Sequence, residues 1–171
     1  FLVSNGIRPE YAIRLYKFYG DGALELLKSN PYILSSDRIG GRFDEADALA
    51  LSMGFEDDNP QRIAAALIFE MAYNLNNGHC FLPREKLIAA TAQLIGVEEE
   101  LAEESLDILI DEEEVIQEPV VNVTAVYLHR LYEAEVYTAA RLRAMAQCIP
   151  NPKLDACELA ERMELSLNIR Y

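Results

Sequence analysis

Hydrophobic residues recur every three or four positions through most of this chain, and proline or glycine separates one such run from the next. This period indicates amphipathic helices, and proline and glycine mark their ends. The first helix is predicted to begin at Pro9 and to end at Gly20. Its predicted inward-facing residues are Ile13, Leu15, Tyr16, Phe18 and Tyr19. The other predicted helices are Asp21–Ser29, a short helix from Asn30-Pro31, Asp44–Met53, a longer helix from Pro60, Arg84–Leu94, Glu98–Ile110, Leu128–Ala146 and Leu154–Leu167, with a turn at IPNPK before the last.

One helical pattern occurs twice, 34 residues apart: GIRPEYAIRLYKFYG at 6–20 and GGRFDEADALALSMG at 40–54. The matching pairs are Gly6 and Gly40, Arg8 and Arg42, Ala12 and Ala46, and Gly20 and Gly54. Two helices joined by a tight glycine turn, written twice, predict a tandem helix-hairpin-helix. The turn leads into a helix N-terminus, whose first N–H groups lack internal partners and suit a phosphate. The alternative is that the glycines only allow the two hairpins to pack against each other.

The residues predicted to contact a DNA backbone belong to the two turns or are cations near them. They are Gly6, Ile7, Arg8, Pro9, Glu10, Arg14, Lys17, Arg38, Gly40, Gly41, Arg42, Phe43 and Asp44. Contacts of this kind position a nucleic acid without reading its sequence. No catalytic residue and no metal ligand is predicted, because the acidic clusters lack a histidine partner or a calcium-loop spacing.

Two β-prone runs, EVIQEP and TAVYLH, are joined by VVNV and predict a β-hairpin. Helix, turn, helix, helix and hairpin is the order of a winged-helix module. The predicted fold class is therefore mainly α: a tandem helix-hairpin-helix over 1–56, a helical winged-helix-like module with one short β-hairpin over 57–128, and C-terminal helices over 129–171.

Charge restricts where a phosphate can bind. The formal net charge is −14, which argues against broad binding of nucleic acid. Residues 1–55 hold six Lys/Arg against seven Asp/Glu, whereas Gly96–Glu118 holds eleven acids and no base. Phosphate affinity must therefore lie in the first third of the chain. The acidic stretch is either a solvated face or a docking surface for a basic partner.

The cysteines and the ends of the chain suggest a cytoplasmic segment of a longer protein. Cys80, Cys148 and Cys157 lack CxxC spacing and are interpreted as reduced core thiols. No apolar run approaches the roughly 18–20 residues that cross a membrane, and FLVSNG lacks the features of a signal peptide. With no initiator methionine, the chain is expected to be cut from a longer one, FLVS being the tail of a first hairpin helix.

Several segments together resemble the accessory region of RecD-like ATP-dependent DNA helicases, which are related to the alpha subunit of exodeoxyribonuclease V. They are NGIRPEYAIRLYKFYG, KSNPYIL, GGRFDEADALALSMG, RIAAAL and NNGHCFLPREKL, and the resemblance covers about residues 1–145. It implies a tandem helix-hairpin-helix, then a compact helical and winged module, with a motor domain following the region that resembles LSLNIRY. This chain departs from the family at its second turn, where Gly40-Gly41-Arg42-Phe43 replaces the usual Gly-Ile-Gly-Phe.

The resemblance implies ATP and magnesium as cofactors of the parent motor, and none for this segment. A motor requires GxxxxGK[ST] to cradle phosphates, and the 171 residues contain no such stretch. The segment alone is therefore predicted to have no ATPase, helicase or nuclease activity. Its expected partners are DNA and the missing motor domains, with no membrane. Two functions stay open, a DNA-guiding accessory domain and an acidic interdomain scaffold; a stand-alone repair protein is a third reading.

Overall fold

Helices make up most of the chain in the computed structural model, which describes residues 6–148 and 155–167. The helices are α1 (Pro9–Tyr19), α2 (Ala23–Ser29), α3 (Phe43–Ser52), α4 (Pro60–Leu75), α5 (Arg84–Ile95), α6 (Glu99–Asp111), α7 (His129–Ala146) and α8 (Ala156–Leu167). Short 3₁₀ helices span Gly20–Gly22 and Pro31–Ser35, and the strands are β1 (Phe81–Pro83), β2 (Val115–Val120) and β3 (Val123–Leu128). The chain divides into two units, Phe1–Tyr132 and Glu133–Tyr171.

Proline and asparagine begin several of these elements. Pro9 and Pro60 lie in the first turns of α1 and α4, where a missing N–H breaks no helical bond. Asn30 and Asn59 precede helices that start with proline, and each side chain accepts a hydrogen bond from the backbone N–H two residues on. The predicted helix starts at Pro9, Pro31 and Pro60 are therefore confirmed.

The first unit has one continuous hydrophobic core that runs from Ile7 to Leu128. Helix α4 is central to it, since α4 packs against α3 and Pro31–Ser35 and also against α5, α6, β1 and β3. The largest fully buried side chains of the unit include Leu15, Leu27, Leu34, Ile39, Leu49, Leu67, Leu87, Leu106, Val115 and Val126. The predicted boundary at residue 56 lies within this shared core, and the division into 1–56 and 57–128 stays a prediction.

The sheet is antiparallel with the order β1–β3–β2. Strands β2 and β3 pair from Val115 opposite Leu128 to Val120 opposite Val123, which confirms the predicted hairpin. The sequence analysis did not predict β1, whose Phe81 lies opposite Tyr127 of β3. The hairpin loop is Val121–Asn122, and Val121 has a positive φ of 55°.

Two predictions about burial are wrong. In α1 the inward residues are Tyr11 and Leu15, whereas Ile13, Tyr16 and Phe18 are exposed, because apolar residues occur on both sides of this short helix. The three cysteines, interpreted as reduced core thiols, are all exposed rather than in the core. They are Cys80, in the loop before β1, Cys148, just after α7, and Cys157, in the first turn of α8.

The second unit consists of α7 from Glu133 onward and α8. Its described side chains are almost all exposed, and α7 has no buried residue. The predicted turn at IPNPK, the start of the last helix at Leu154, the end of LSLNIRY and the segment FLVS lie outside the described residues.

Candidate nucleic-acid interface

The repeat in the sequence is also a repeat in backbone conformation. Each copy opens at a glycine with positive φ, 77° at Gly6 and 70° at Gly40. Two residues later an arginine, Arg8 or Arg42, is the extended N-cap of α1 or α3. The glycines that close the copies, Gly20 and Gly54, have φ values of 59° and 88°. Since residues with a Cβ rarely adopt these φ values, the repeated glycines are explained by the turns themselves.

The outer surface of both turns is open. The exposed members of the predicted site are Gly6, Arg8, Pro9, Glu10, Arg14, Lys17, Arg38, Gly40, Arg42 and Asp44. Ile7 and Phe43 are buried and Gly41 is half-buried, so these three residues offer little surface to a ligand. Neither N-cap arginine caps its own helix with a side-chain hydrogen bond. Each turn therefore leads into an exposed helix N-terminus, which carries partial positive charge.

Gly41 makes a close contact within the protein. Its N–H donates to the Leu34 carbonyl at 2.8 Å, and a Cβ built at Gly41 would lie 2.5 Å from that same oxygen. Glycine at this position therefore allows a close backbone contact with the segment just before the second turn. A Cβ built at Gly40 would lie 2.9 Å from the guanidinium of Arg14. That guanidinium donates to the Ile39 carbonyl at 2.6 Å. Arg14 thus fastens α1 to the second turn.

Arg8 joins the two copies of the repeat. Its guanidinium donates to Glu45, in the first turn of α3, at 2.9 Å and lies 5.0 Å from the centre of the Tyr11 ring. The hydrogen bond to Glu45 raises the pKa of Arg8, and burial raises that of the Tyr11 phenol. One carboxylate oxygen of Glu45 is buried and has no hydrogen-bond partner among the described residues. The Arg8–Glu45 contact therefore links the start of α1 to the first turn of α3.

Arg42 is paired within its own turn. Its Nε and Nη2 donate to the two carboxylate oxygens of Asp44 at 2.8 and 2.6 Å. This pair lowers the pKa of Asp44, and hydrogen bonds from backbone N–H groups at the start of α3 lower it further. The Asp44 carboxylate thus sits at the helix N-terminus, where a phosphate group would bind.

Lys17 and Arg38 are the other predicted cations. Lys17 lies in the last turn of α1, and Arg38 precedes the second turn. Both are exposed, and neither forms a salt bridge with any residue that the structure describes. Next to Arg38, Asp37 pairs with Arg130 at 2.7 Å, which joins the loop before the second turn to the start of α7.

A buried polar network supports the second turn, and the sequence analysis did not predict it. Arg62 of α4 is only 7% exposed and donates to both carboxylate oxygens of Asp47 in α3, at 2.8 and 3.0 Å. It also donates to the carbonyls of Asp57 and Ile95, at 2.8 and 3.1 Å. Tyr32 donates to Asp47 at 2.8 Å. The only signal in the sequence was a carboxylate at Asp47 where the first copy of the repeat has Ile13.

The pKa values in this network follow from burial and from the ion pair. Burial raises the pKa of the Tyr32 phenol well above its usual value, and the hydrogen bond to Asp47 raises it further. The hydrogen bond to Asp47 also raises the pKa of Arg62. Both shifts favour the charged form of Arg62 and the protonated form of Tyr32. The network holds α3, α4 and the end of α5 in one arrangement.

The described residues offer no group of three or more His, Cys, Asp or Glu side chains arranged to hold a metal ion. Among those residues, no helix is both long enough and apolar enough to span a bilayer. The chemistry present in the turns is that of arginine guanidinium groups and helix N–H groups, both of which bind oxyanions.

Residues 1–81 match a family model described as the HHH domain of the ATP-dependent RecD2 DNA helicase. The match includes both copies of the repeat, the Asp47–Arg62 network and the start of β1. A tandem helix-hairpin-helix requires two glycine turns, each followed by a helix. The structure has these turns before α1 and α3, so the fold agrees with the family match. Residues 1–81 are therefore similar to the HHH domain of ATP-dependent RecD2 DNA helicases, and this similarity supports a RecD-like helicase accessory region.

Proposed function

We propose that this chain is a non-catalytic, DNA-binding and DNA-guiding accessory segment of a RecD-like ATP-dependent helicase, acting in DNA recombination or repair in the cytoplasm. The observation that carries the proposal is the pair of exposed helix N-termini, each preceded by an arginine. The side chain of Arg8, at the start of α1, donates to the side chain of Glu45, in the first turn of α3, at 2.9 Å. Helix N-termini and arginines placed together bind successive phosphates.

The proposed contacts are to the sugar–phosphate backbone. The turns offer N–H groups and guanidinium groups, which fits positioning without sequence specificity. Lys17 and Arg38 would add positive charge on the approach to the turns. The parent motor would supply ATP and magnesium chemistry, and this segment would hold or guide a strand next to it.

The residues after the turns are proposed to form a winged-helix-like module from Pro60 to Leu128. Its elements follow the order α4, β1, α5, α6, β2 and β3. Helix α6 begins at Glu99 and carries acids at most exposed positions, which disfavours contact between α6 and a phosphate backbone. Within this proposal the module packs or spaces protein domains and leaves DNA contact to the two turns.

The second candidate function is an acidic interdomain scaffold with little DNA affinity. The observation that favours it is the engagement of Arg8 by Glu45 and of Arg42 by Asp44, which neutralises the two arginines best placed for phosphate. In this case the acidic surface would dock the motor or another basic protein. The two functions differ in one measurable property, which is DNA affinity at low salt.

The test is fluorescence anisotropy of labelled single-stranded and duplex oligonucleotides with the full 171-residue chain. We expect binding at low salt that weakens as salt rises, with Arg8→Glu plus Arg42→Glu weakening it at least about tenfold and lowering the salt slope by about 2. The matched control is Arg141→Glu plus Arg143→Glu on the exposed face of α7, which changes the net charge equally.

Equal binding by the turn variant and the wild type would assign the DNA contacts elsewhere. If the turn and control variants weaken binding equally, net charge rather than the turns is responsible. If the wild type binds no DNA even at low salt but a separately produced motor domain binds it tightly, the scaffold replaces the DNA-binding proposal.

A further inference from the structure

The first turn of α3 carries carboxylates that hold both N-cap arginines. Asp44 binds Arg42 through two hydrogen bonds, at 2.8 and 2.6 Å, and Glu45 binds Arg8 at 2.9 Å. The equivalent positions in the first turn of α1 are Glu10 and Tyr11. Glu10 is exposed and forms no salt bridge with any residue in the described part of the chain. The two copies thus have the same backbone conformation, but only the second has carboxylates in its first helical turn that bind the N-cap arginines.

Asp44 has the contacts that a bound phosphate oxygen would have. It accepts from a guanidinium in a bidentate pair, the geometry that arginine also uses with phosphate. It also accepts from backbone N–H groups at the helix N-terminus. Its side chain and that of Arg42 are each more than 60% exposed, so an incoming anion reaches the pair without unfolding anything.

We infer that Asp44 and Glu45 are internal competitors for Arg42 and Arg8, and that a DNA phosphate binds the turns by displacing these carboxylates. This inference rests on the proposed function and adds a regulation of that site. The Arg42–Asp44 and Arg8–Glu45 pairs neutralise the two arginines when DNA is absent. A DNA phosphate replaces a carboxylate when it binds, so the affinity for DNA is lower than two unpaired arginines would give.

Asp44 is the better residue for a test, because Glu45 is partly buried against α1 and its loss would disturb packing. Asp44→Asn keeps the shape and removes the charge. Glu10→Gln is the matched control, since it removes one charge at the equivalent position of the other copy without releasing an arginine. The comparison of the two variants separates the release of Arg42 from the plain change in net charge.

The experiment is a double-mutant cycle read by oligonucleotide anisotropy at low salt. We expect Asp44→Asn to bind about tenfold more tightly than the wild type, and Glu10→Gln about twofold, because only the first frees a phosphate-binding group. In an Arg42→Gln background, Asp44→Asn should give no more than the Glu10→Gln gain. That loss of the effect identifies Arg42 as the group that Asp44 occupies.

A second readout does not depend on DNA. Nuclear magnetic resonance titration of the Asp44 carboxyl should give a lowered pKa in the wild type and a value nearer the ordinary one in Arg42→Gln. An ordinary pKa for Asp44 in the wild type would show that the pair is not formed in solution, and the inference would be wrong.

The outcomes separate this inference from the proposed function. If Arg8→Glu plus Arg42→Glu weakens binding but Asp44→Asn and Glu10→Gln behave alike, the turns bind DNA and the competition is absent. If neither the wild type nor Asp44→Asn binds DNA at low salt, the proposed function fails and the inference fails with it. Binding by Asp44→Asn alone would support the inference most directly.

Discussion

The two copies of the repeat, Gly6–Gly20 and Gly40–Gly54, have the same backbone plan but differ in burial. In α3 the buried residues are Phe43, Ala46, Leu49 and Ala50, whereas in α1 they are Tyr11 and Leu15 alone. Tyr16 is 63% exposed, and its equivalent Ala50 is fully buried. The second copy is therefore part of the core of the first unit, and the first copy lies at its edge.

The copies also differ in charge. The first contains Arg8, Arg14 and Lys17 against Glu10, a net of +2, and the second contains Arg42 against Asp44, Glu45 and Asp47, a net of −2. Glycine and arginine occupy equivalent positions in both copies, so the shared backbone conformation does not require a particular charge on the helix. The second copy therefore stabilises the fold and supplies the carboxylates that bind Arg8 and Arg42, whereas the first copy contains three of the four cations of the repeat.

The largest test of this contrast compares Asp47 with its equivalent, Ile13. Asp47→Ala leaves the guanidinium of Arg62 buried without its carboxylate, and we expect a loss of roughly 3 kcal/mol in the free energy of unfolding. Ile13 is exposed, so Ile13→Ala should change stability by less than about 0.5 kcal/mol. Urea unfolding of both variants, followed by circular dichroism, measures the difference.

Asp47→Asn is the conservative variant, because an amide replaces the carboxylate with nearly the same shape but without the charge. We expect it to lose less than Asp47→Ala. Equal and small effects of Asp47→Ala and Ile13→Ala would mean that the Asp47–Arg62 network contributes little, and the two copies would then be alike in stability.

The next test concerns Gly41, whose equivalent in the first copy is the buried Ile7. A Cβ at Gly41 would lie 2.5 Å from the Leu34 carbonyl oxygen, a backbone atom that has little room to shift. We expect Gly41→Ala to destabilise the protein by about 2 kcal/mol, as overpacking against backbone does. Thermal unfolding of the purified variant is the measurement.

Gly22→Ala is the control for Gly41→Ala. A Cβ at Gly22 meets nothing within 4 Å. Gly22 is the N-cap of α2, and its backbone has right-handed helical angles that alanine also adopts. Alanine there should be neutral or slightly stabilising, because it restricts the unfolded chain. If both substitutions are neutral, the second turn tolerates a side chain as the first tolerates Ile7, and the contact with Leu34 is not what closes it.

The sequence predicted what local signals encode. Proline and glycine fixed the helix boundaries near Pro9, Pro60 and Gly96, and the 34-residue repeat gave two turns that the structure contains. The β-hairpin was predictable because its strands are adjacent in the chain. These features depend on a few neighbouring residues each.

Other features depend on residues far apart and were not predictable. Strand β1 has only three residues and exists because it pairs with β3, more than 40 positions later. Asp47 and Arg62 lie on different helices, and neither residue type marks a buried pair. In α1, the run YAIRLYKFY is apolar on more than one side, so periodicity alone did not separate Tyr11 from Tyr16. Tertiary contact decided all of these outcomes.

The smallest expected effect is a dependence of stability on pH that comes from Asp44 in the second copy. The folded protein lowers the pKa of Asp44, so the ionised carboxylate favours folding above its unfolded pKa, and this contribution is lost as pH falls through the lower, folded pKa. Asp44→Asn should therefore have a slightly lower melting temperature than the wild type at pH 7. The gap should close as the pH falls below the folded pKa.

Thermal unfolding of the wild type, Asp44→Asn and Glu10→Gln at neutral and acidic pH checks this expectation. Glu10→Gln should lower the melting temperature less at pH 7, because Glu10 forms no salt bridge with a described residue. Combined with the DNA measurements, the result is a trade-off at one carboxylate: Asp44 stabilises the free protein through Arg42 and weakens phosphate binding through the same contact. An Asp44→Asn variant with no loss of stability at pH 7 would show that the Arg42 pair does not stabilise the free protein, and the trade-off would be absent.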